Sequence, residues 1–119
     1  MPSIFPIWWI ALTAGVALVA SLLLLTWRYK EIPLWERLVI SSLVGLSIFL
    51  WRLSGNIKEL NDDPLPPFSP NDWLCPAVTY IWLRLYGAFR RPVELEPKGW
   101  EEACAFLTIV SFVVNVLVI

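Results

Sequence analysis

Only a handful of side chains in this sequence have the type and spacing to do chemistry. Arg84 is the one charge set well inside an apolar run, and intramembrane charges often mark ion or substrate paths. It lies about one and a half helical turns from Arg90, so its guanidinium is expected to snorkel to the interface. Cys104, Thr108, Ser111 and Asn115 recur at a spacing that puts them on one helix face. Such a face is best satisfied against another helix, with Asn115 as the hydrogen-bonding group. Its other use would be to line a polar pore. Asp62 and Asp63 could offer oxygens to a divalent cation, but the further ligands of a calcium loop are missing, so a solvated loop is expected. Cys75 and Cys104 are too few for a disulfide framework or a four-thiolate zinc site. The chain has no histidine, which removes the commonest general base, metal ligand and haem ligand. No nucleophile, base and orienting group can be assembled, and phosphate-loop, zinc and dinucleotide spacings are not found. The expectation is a protein that is not an enzyme and holds no cofactor and no metal.

Composition says which elements must position these residues. Of 119 residues, 58% are hydrophobic and 16% charged, where an ordinary soluble domain has about 25% charged. That deficit points to lipid. The net charge of −1 leaves no basic field for nucleic acid. The chain therefore reads as all-α, an integral membrane protein with four transmembrane helices and short loops. It forms one domain over 1–119, with spans at about 7–27, 35–53, 70–89 and 101–119 and a surface linker at 54–72. Ile7 to Trp27 is uncharged over roughly 30 Å of helix, the thickness of a bilayer core. No Lys or Arg precedes it, so it reads as a retained span and not a cleaved signal peptide. In the second span, Arg52 sits at the boundary and can snorkel, and Ser54-Gly55-Asn56 reads as a C-cap with glycine left-handed. Pro64, Pro66, Pro67 and Pro70 exclude helix from the linker and favour an extended surface path. The third span opens on Ser69 as N-cap and Pro70 at the first position, but it contains Pro76 and Arg84. Its alternative is an interfacial helix lying flat, which leaves three spans. Val93 to Lys98 reads as a turn before the fourth span, where Glu101 and Glu102 meet the positive end of the helix dipole.

Trp8, Trp9, Trp27, Trp35, Trp51, Trp73 and Trp100 fall at span ends, where indole favours the headgroup boundary as an anchor. Ala11 with Gly15, Ala17 with Ser21, and Ser41 with Gly45 are small-residue pairs that let helix backbones approach. With Cys104, Thr108, Ser111 and Asn115 they are the expected helix-packing positions. Lys and Arg favour cytoplasmic connections. Arg28, Lys30 and Arg37 share one side with Arg90, Arg91 and Lys98, which predicts both termini on the non-cytoplasmic side. Cys75 and Cys104 then begin at opposite surfaces, too far apart for a disulfide.

In size and layout, though by no motif, the chain resembles phage holins, accessory subunits of respiratory or photosynthetic complexes, and small membrane proteins of lipid-containing virions. The expected function is that of a non-enzymatic structural or assembly subunit of a larger membrane complex. Its expected partners are the lipid bilayer and other membrane subunits or copies of itself, and not nucleic acid. A holin-like pore-former is the alternative, resting on small size, several spans and the polar face of the fourth.

Overall fold

In hydrocarbon a backbone has no water to bond, so long uncharged runs must close their own hydrogen bonds as helices. The computed structural model describes residues 6–55, 70–90 and 96–118, and all regular structure among them is helical. The helices are α1 (Ile7–Arg28), α2 (Leu34–Ser54), α3 (Pro70–Arg90) and α4 (Pro97–Val118). α1, α2 and α4 are long and apolar enough to cross a membrane, and α3 is less apolar. The proposed Ser69 cap, the Asp62–Asp63 pair and the rest of the proline linker before Pro70 lie outside the described residues.

Side-chain contacts set the helix directions. The start of α3 meets the end of α2, where Asn71 Nδ2 donates to Gly55 O at 2.9 Å. The other end of α3 meets the start of α2, where Tyr86 Oη donates to Glu36 Oε2 at 2.7 Å. Trp73 packs on Phe112, ring centroids 5.0 Å apart, so α4 runs opposite to α3. Tyr29, just after α1, reaches Glu102 at the start of α4, so α4 also runs opposite to α1. The result is an up-down-up-down bundle, 45 × 22 × 22 Å. α3 packs along α2 and α4 over its length and does not lie across the end of the bundle.

The distribution of polarity is the reverse of a water-soluble bundle. Leu23, Trp27, Leu117 and many other large apolar residues face outward. Thr13, Ser21, Ser41, Ser47, Thr79, Ser111 and Asn115 are buried. A soluble protein does not leave so much contiguous apolar surface in water, whereas in lipid polar groups must turn inward to find partners.

Several boundaries and faces differ from the sequence expectation. α4 begins at Pro97 and not at Trp100 or Glu101. Proline lacks only an N–H that the first turn would leave orphaned, and its φ suits that position; Trp100 N then closes the turn on Glu96 O at 3.0 Å. Gly55 ends α2 as expected, but with φ −96°, so no left-handed residue is used. Its N–H bonds Trp51 O at 2.7 Å, and it is buried beneath Asn71. Ser41 and Gly45 face into the bundle, whereas Ala11 and Gly15 face outward. The other expected pair, Ala17 and Ser21, faces inward, and with Thr13 and Ala14 it forms the small inward face of α1. Trp8, Trp27, Trp35 and Trp73 are exposed at span ends, and Trp9 and Trp51 are half-buried. Trp100 is not at the lipid boundary in this sense. It is only 4% exposed and packs inward against Tyr86, centroids 6.0 Å apart.

Candidate functional site

The polar contacts between helices fall into a layer towards the ends of α2 and α4 and two clusters at the opposite end. Glu36, Ile40, Val44, Ile48 and Arg52 recur every fourth residue and are all buried. α2 thus carries one inward stripe with an apolar middle and a charge at each end.

At the first end, Arg52 is 2% exposed and donates from Nε to Asn115 Oδ1 at 2.8 Å. This corrects the expectation that Arg52 snorkels. Asn115 is oriented for this because its Nδ2 donates to Ser111 O, one turn back, at 2.7 Å. That leaves the amide oxygen aimed at the guanidinium. Ser111 Oγ lies 2.9 Å from Thr79 Oγ1, which lies 2.8 Å from Ser47 Oγ. Thr79 Oγ1 is also 3.2 Å from Cys75 O. A hydroxyl has one proton and two lone pairs. With Ser47 donating to Val44 O at 2.7 Å, Thr79 donates to Ser47 and accepts from Ser111, and all three hydroxyls are satisfied. One hydrogen-bonded layer thereby ties α2, α3 and α4 together. Trp51 Nε1 adds a bond to Asn71 Oδ1 at 3.0 Å.

At the opposite end, two Tyr–Glu–Arg clusters join helices crosswise. Glu36 is 3% exposed, accepts from Tyr86 and lies 3.6 Å from Arg90 Nε; the Arg90 guanidinium stacks 4.8 Å from the Trp35 ring centroid. Glu102 Oε1 accepts from Tyr29 Oη at 2.8 Å and from Arg28 Nε at 3.0 Å. Arg37 ties the α1–α2 connection through Ile32 O at 3.0 Å and Thr26 Oγ1 at 2.9 Å. Burial first, and then the bond to the Glu102 carboxylate, push the Tyr29 phenol up to about 12.

That shift has a sign for stability. The folded state holds the Tyr29 proton more tightly than the unfolded chain, whose phenol titrates at about 10. The contribution is full below pH 10 and is lost as pH rises from 10 to about 12. The difference in phenolate absorbance between the wild type and Tyr29→Phe should therefore develop near pH 12. Glu102→Gln should bring it down towards 10. A Tyr29 signal titrating at 10 in the intact protein would show the cluster is not formed.

The remaining expected positions separate. Cys104, Ser111 and Asn115 are buried together on α4, and Thr108 is half-buried, donating to Cys104 O at 2.7 Å. Cys75 and Cys104 are buried near opposite ends of the bundle and are not bonded to each other. Arg84 is partly exposed, with Nη1 3.9 Å from Glu101 Oε1. Among the described residues, no three His, Cys, Asp or Glu converge on a metal-sized site. Sequence reasoning missed Arg52, Glu36, Ser47 and Thr79 as interior groups. The four-residue recurrence along α2 was the available signal for Arg52 and Glu36. No family model, curated protein or solved structure matches the chain.

Proposed function

We propose that this chain is a non-enzymatic structural or assembly subunit of a larger membrane complex. In this reading it has four spans, with α3 crossing alongside α2 and α4, and both termini on the non-cytoplasmic side. Arg28, Lys30, Arg37, Arg90 and Lys98 would then share the cytoplasmic end, in keeping with the bias of Lys and Arg.

The observation that carries the reading is the division of labour between faces. Ser47, Thr79, Ser111, Asn115 and Arg52 spend hydrogen bonds on binding helices together. Outside, α1 presents an apolar groove of about 610 Å³ lined by Ala11, Gly15, Val16, Val19 and Leu23 among others. Small residues on a lipid-facing surface allow another helix to approach closely. The polar face of α4 points into the bundle, which counts against its lining a pore between copies.

Purification in mild detergent tests this. A stoichiometric membrane partner, or further copies of the chain, should co-purify. Gly15→Leu should release that partner without lowering the helicity or the thermal midpoint of the free chain, since among the described residues nothing lies within 4 Å of a Cβ built there. A monodisperse monomer with no partner would reject the proposal. An abrupt, timed collapse of membrane potential on induced expression in bacteria would replace it with the pore-former.

A further inference from the structure

In a membrane the outer surface of the bundle is itself a binding surface. Its exposed tryptophans and charges fix the depth of hydrocarbon that it can accept. We propose that this surface is matched to a thin bilayer, with a hydrocarbon core of about 24 Å where an ordinary one has about 30 Å. The proposal rests on the four-span reading and adds the thickness of the lipid that those spans fit.

The first ground is the spacing of the tryptophans. Trp27 and Trp35 are exposed at one end of the bundle, and Trp8 and Trp73 at the other, with Trp51 half-buried beside them. Contacts between the helices put each set at one level. Gly45 packs on Ala14, and Trp51 and Trp8 each lie six residues from that contact, in the same direction along the bundle. Trp51 in turn bonds Asn71, beside Trp73. At the other end Arg37 reaches Thr26, so the residues before them and after them, Trp35 and Trp27, are neighbours in depth. The two levels are about 28 Å apart along α1 and about 24 Å apart along α2. An average tilt of about 20° shortens both slightly across the membrane. Indoles settle at headgroup level, so the hydrocarbon between the two levels is no thicker than their separation.

The second ground is charge on the outside of α3. The Arg84 and Glu101 side chains are 43% and 62% exposed, with their closest atoms 3.9 Å apart. Charge in contact with hydrocarbon is costly, so the core must end where these two groups can reach water or headgroups. Arg84 lies only about 17 Å from Trp73 along α3. A core of about 30 Å measured from Trp73 would leave the Arg84 backbone about 13 Å below the boundary, further than an arginine side chain spans. A core of about 24 Å leaves it about 7 Å below, from which the guanidinium snorkels out. The tryptophans of α1 and α2 and the charges of α3 and α4 thus arrive independently at the same thickness.

The test uses the full chain reconstituted into phosphatidylcholine vesicles with monounsaturated chains of increasing length: dimyristoleoyl, dipalmitoleoyl, dioleoyl, dieicosenoyl and dierucoyl. Each lipid is mixed with dibrominated dioleoyl phosphatidylcholine, which quenches the protein's own tryptophans. The fluorescence that each lipid restores measures how well it competes for the protein surface. Dimyristoleoyl or dipalmitoleoyl lipid should compete best, and dierucoyl lipid about threefold worse, since mismatch costs are modest for each ångström. The double variant Arg84→Leu with Glu101→Leu should halve the penalty of the long chains. Arg84→Lys, whose charge can still snorkel, should leave it unchanged. Resistance to alkaline extraction from the same vesicles checks the spanning itself. Protein that resists extraction yet prefers dioleoyl or longer chains, shows no preference, or keeps its full long-chain penalty in the double variant would overturn the thickness match alone. Protein released by alkali would overturn the spanning reading with it.

Discussion

Asn115→Leu is expected to destabilise the bundle by about 2–3 kcal/mol, the upper part of the range for a hydrogen bond to a charged group. Arg52 is almost wholly buried, and the Asn115 amide oxygen accepts from its Nε. Leucine removes that acceptor and leaves the guanidinium in place, so the desolvation cost of the charge loses part of its compensation. Apolar side chains gain little in return, because lipid is already as apolar as leucine. Ser111→Ala provides the scale. It deletes a neutral hydroxyl pair, and such interhelical bonds average about 0.6 kcal/mol in membranes. Asn115→Asp, which keeps an acceptor for Arg52, should fall between the two. Unfolding each variant by SDS titration from mild-detergent micelles gives the comparison. If Asn115→Leu were no worse than Ser111→Ala, the Arg52–Asn115 bond would not hold the helices together.

Gly45→Val should cost about 1–3 kcal/mol, as overpacking of a well-packed interior does, while Gly15→Ala should be neutral or stabilising by up to about 1 kcal/mol. A Cβ at Gly45 would sit 3.0 Å from Ala14 O and 3.3 Å from Leu18 Cβ. The first of these is backbone of the adjoining helix and can yield only if α1 and α2 separate. A Cβ at Gly15 meets nothing within 4 Å, so alanine there only improves helix propensity. Thermal midpoints of the two variants in the same detergent check the contrast. Equal effects at the two glycines would mean that the α1–α2 contact is not the one described.

What the sequence by itself determined is the set of helices and the character of their ends. An uncharged run such as Ile7 to Trp27 has one low-energy form in lipid, because only a helix closes every backbone bond within the segment. Four helices, three of them long and apolar enough to cross a membrane, and the charge-rich connections between them follow from local rules. The i, i+4, i+7 spacing on α4 likewise marked Ser111 and Asn115 as one face before any partner was known, since that geometry belongs to a single helix.

Which face turns inward was decided by tertiary structure. Around a helix such as α1 nearly every side chain is apolar, so burial in protein and contact with lipid leave the same signature in sequence. Shape and hydrogen bonding across the bundle must choose. Ala11 with Gly15 and Ser41 with Gly45 are equivalent as pairs, yet Ser41 and Gly45 lie against a neighbour, because Gly45 fits Ala14, whereas Gly15 meets nothing among the described residues. Arg52 stands near a helix end from which a guanidinium can snorkel or turn in. Asn115, 63 positions away, supplies the acceptor that brings it in. Trp100 could have anchored at the lipid boundary, but Gly87 leaves a space for the indole inside the bundle. Tyr29 and Glu102 are 73 positions apart, and neither carries a local sign of the other. Such choices depend on which helices become neighbours, and that is a property of the assembled bundle and not of any one segment.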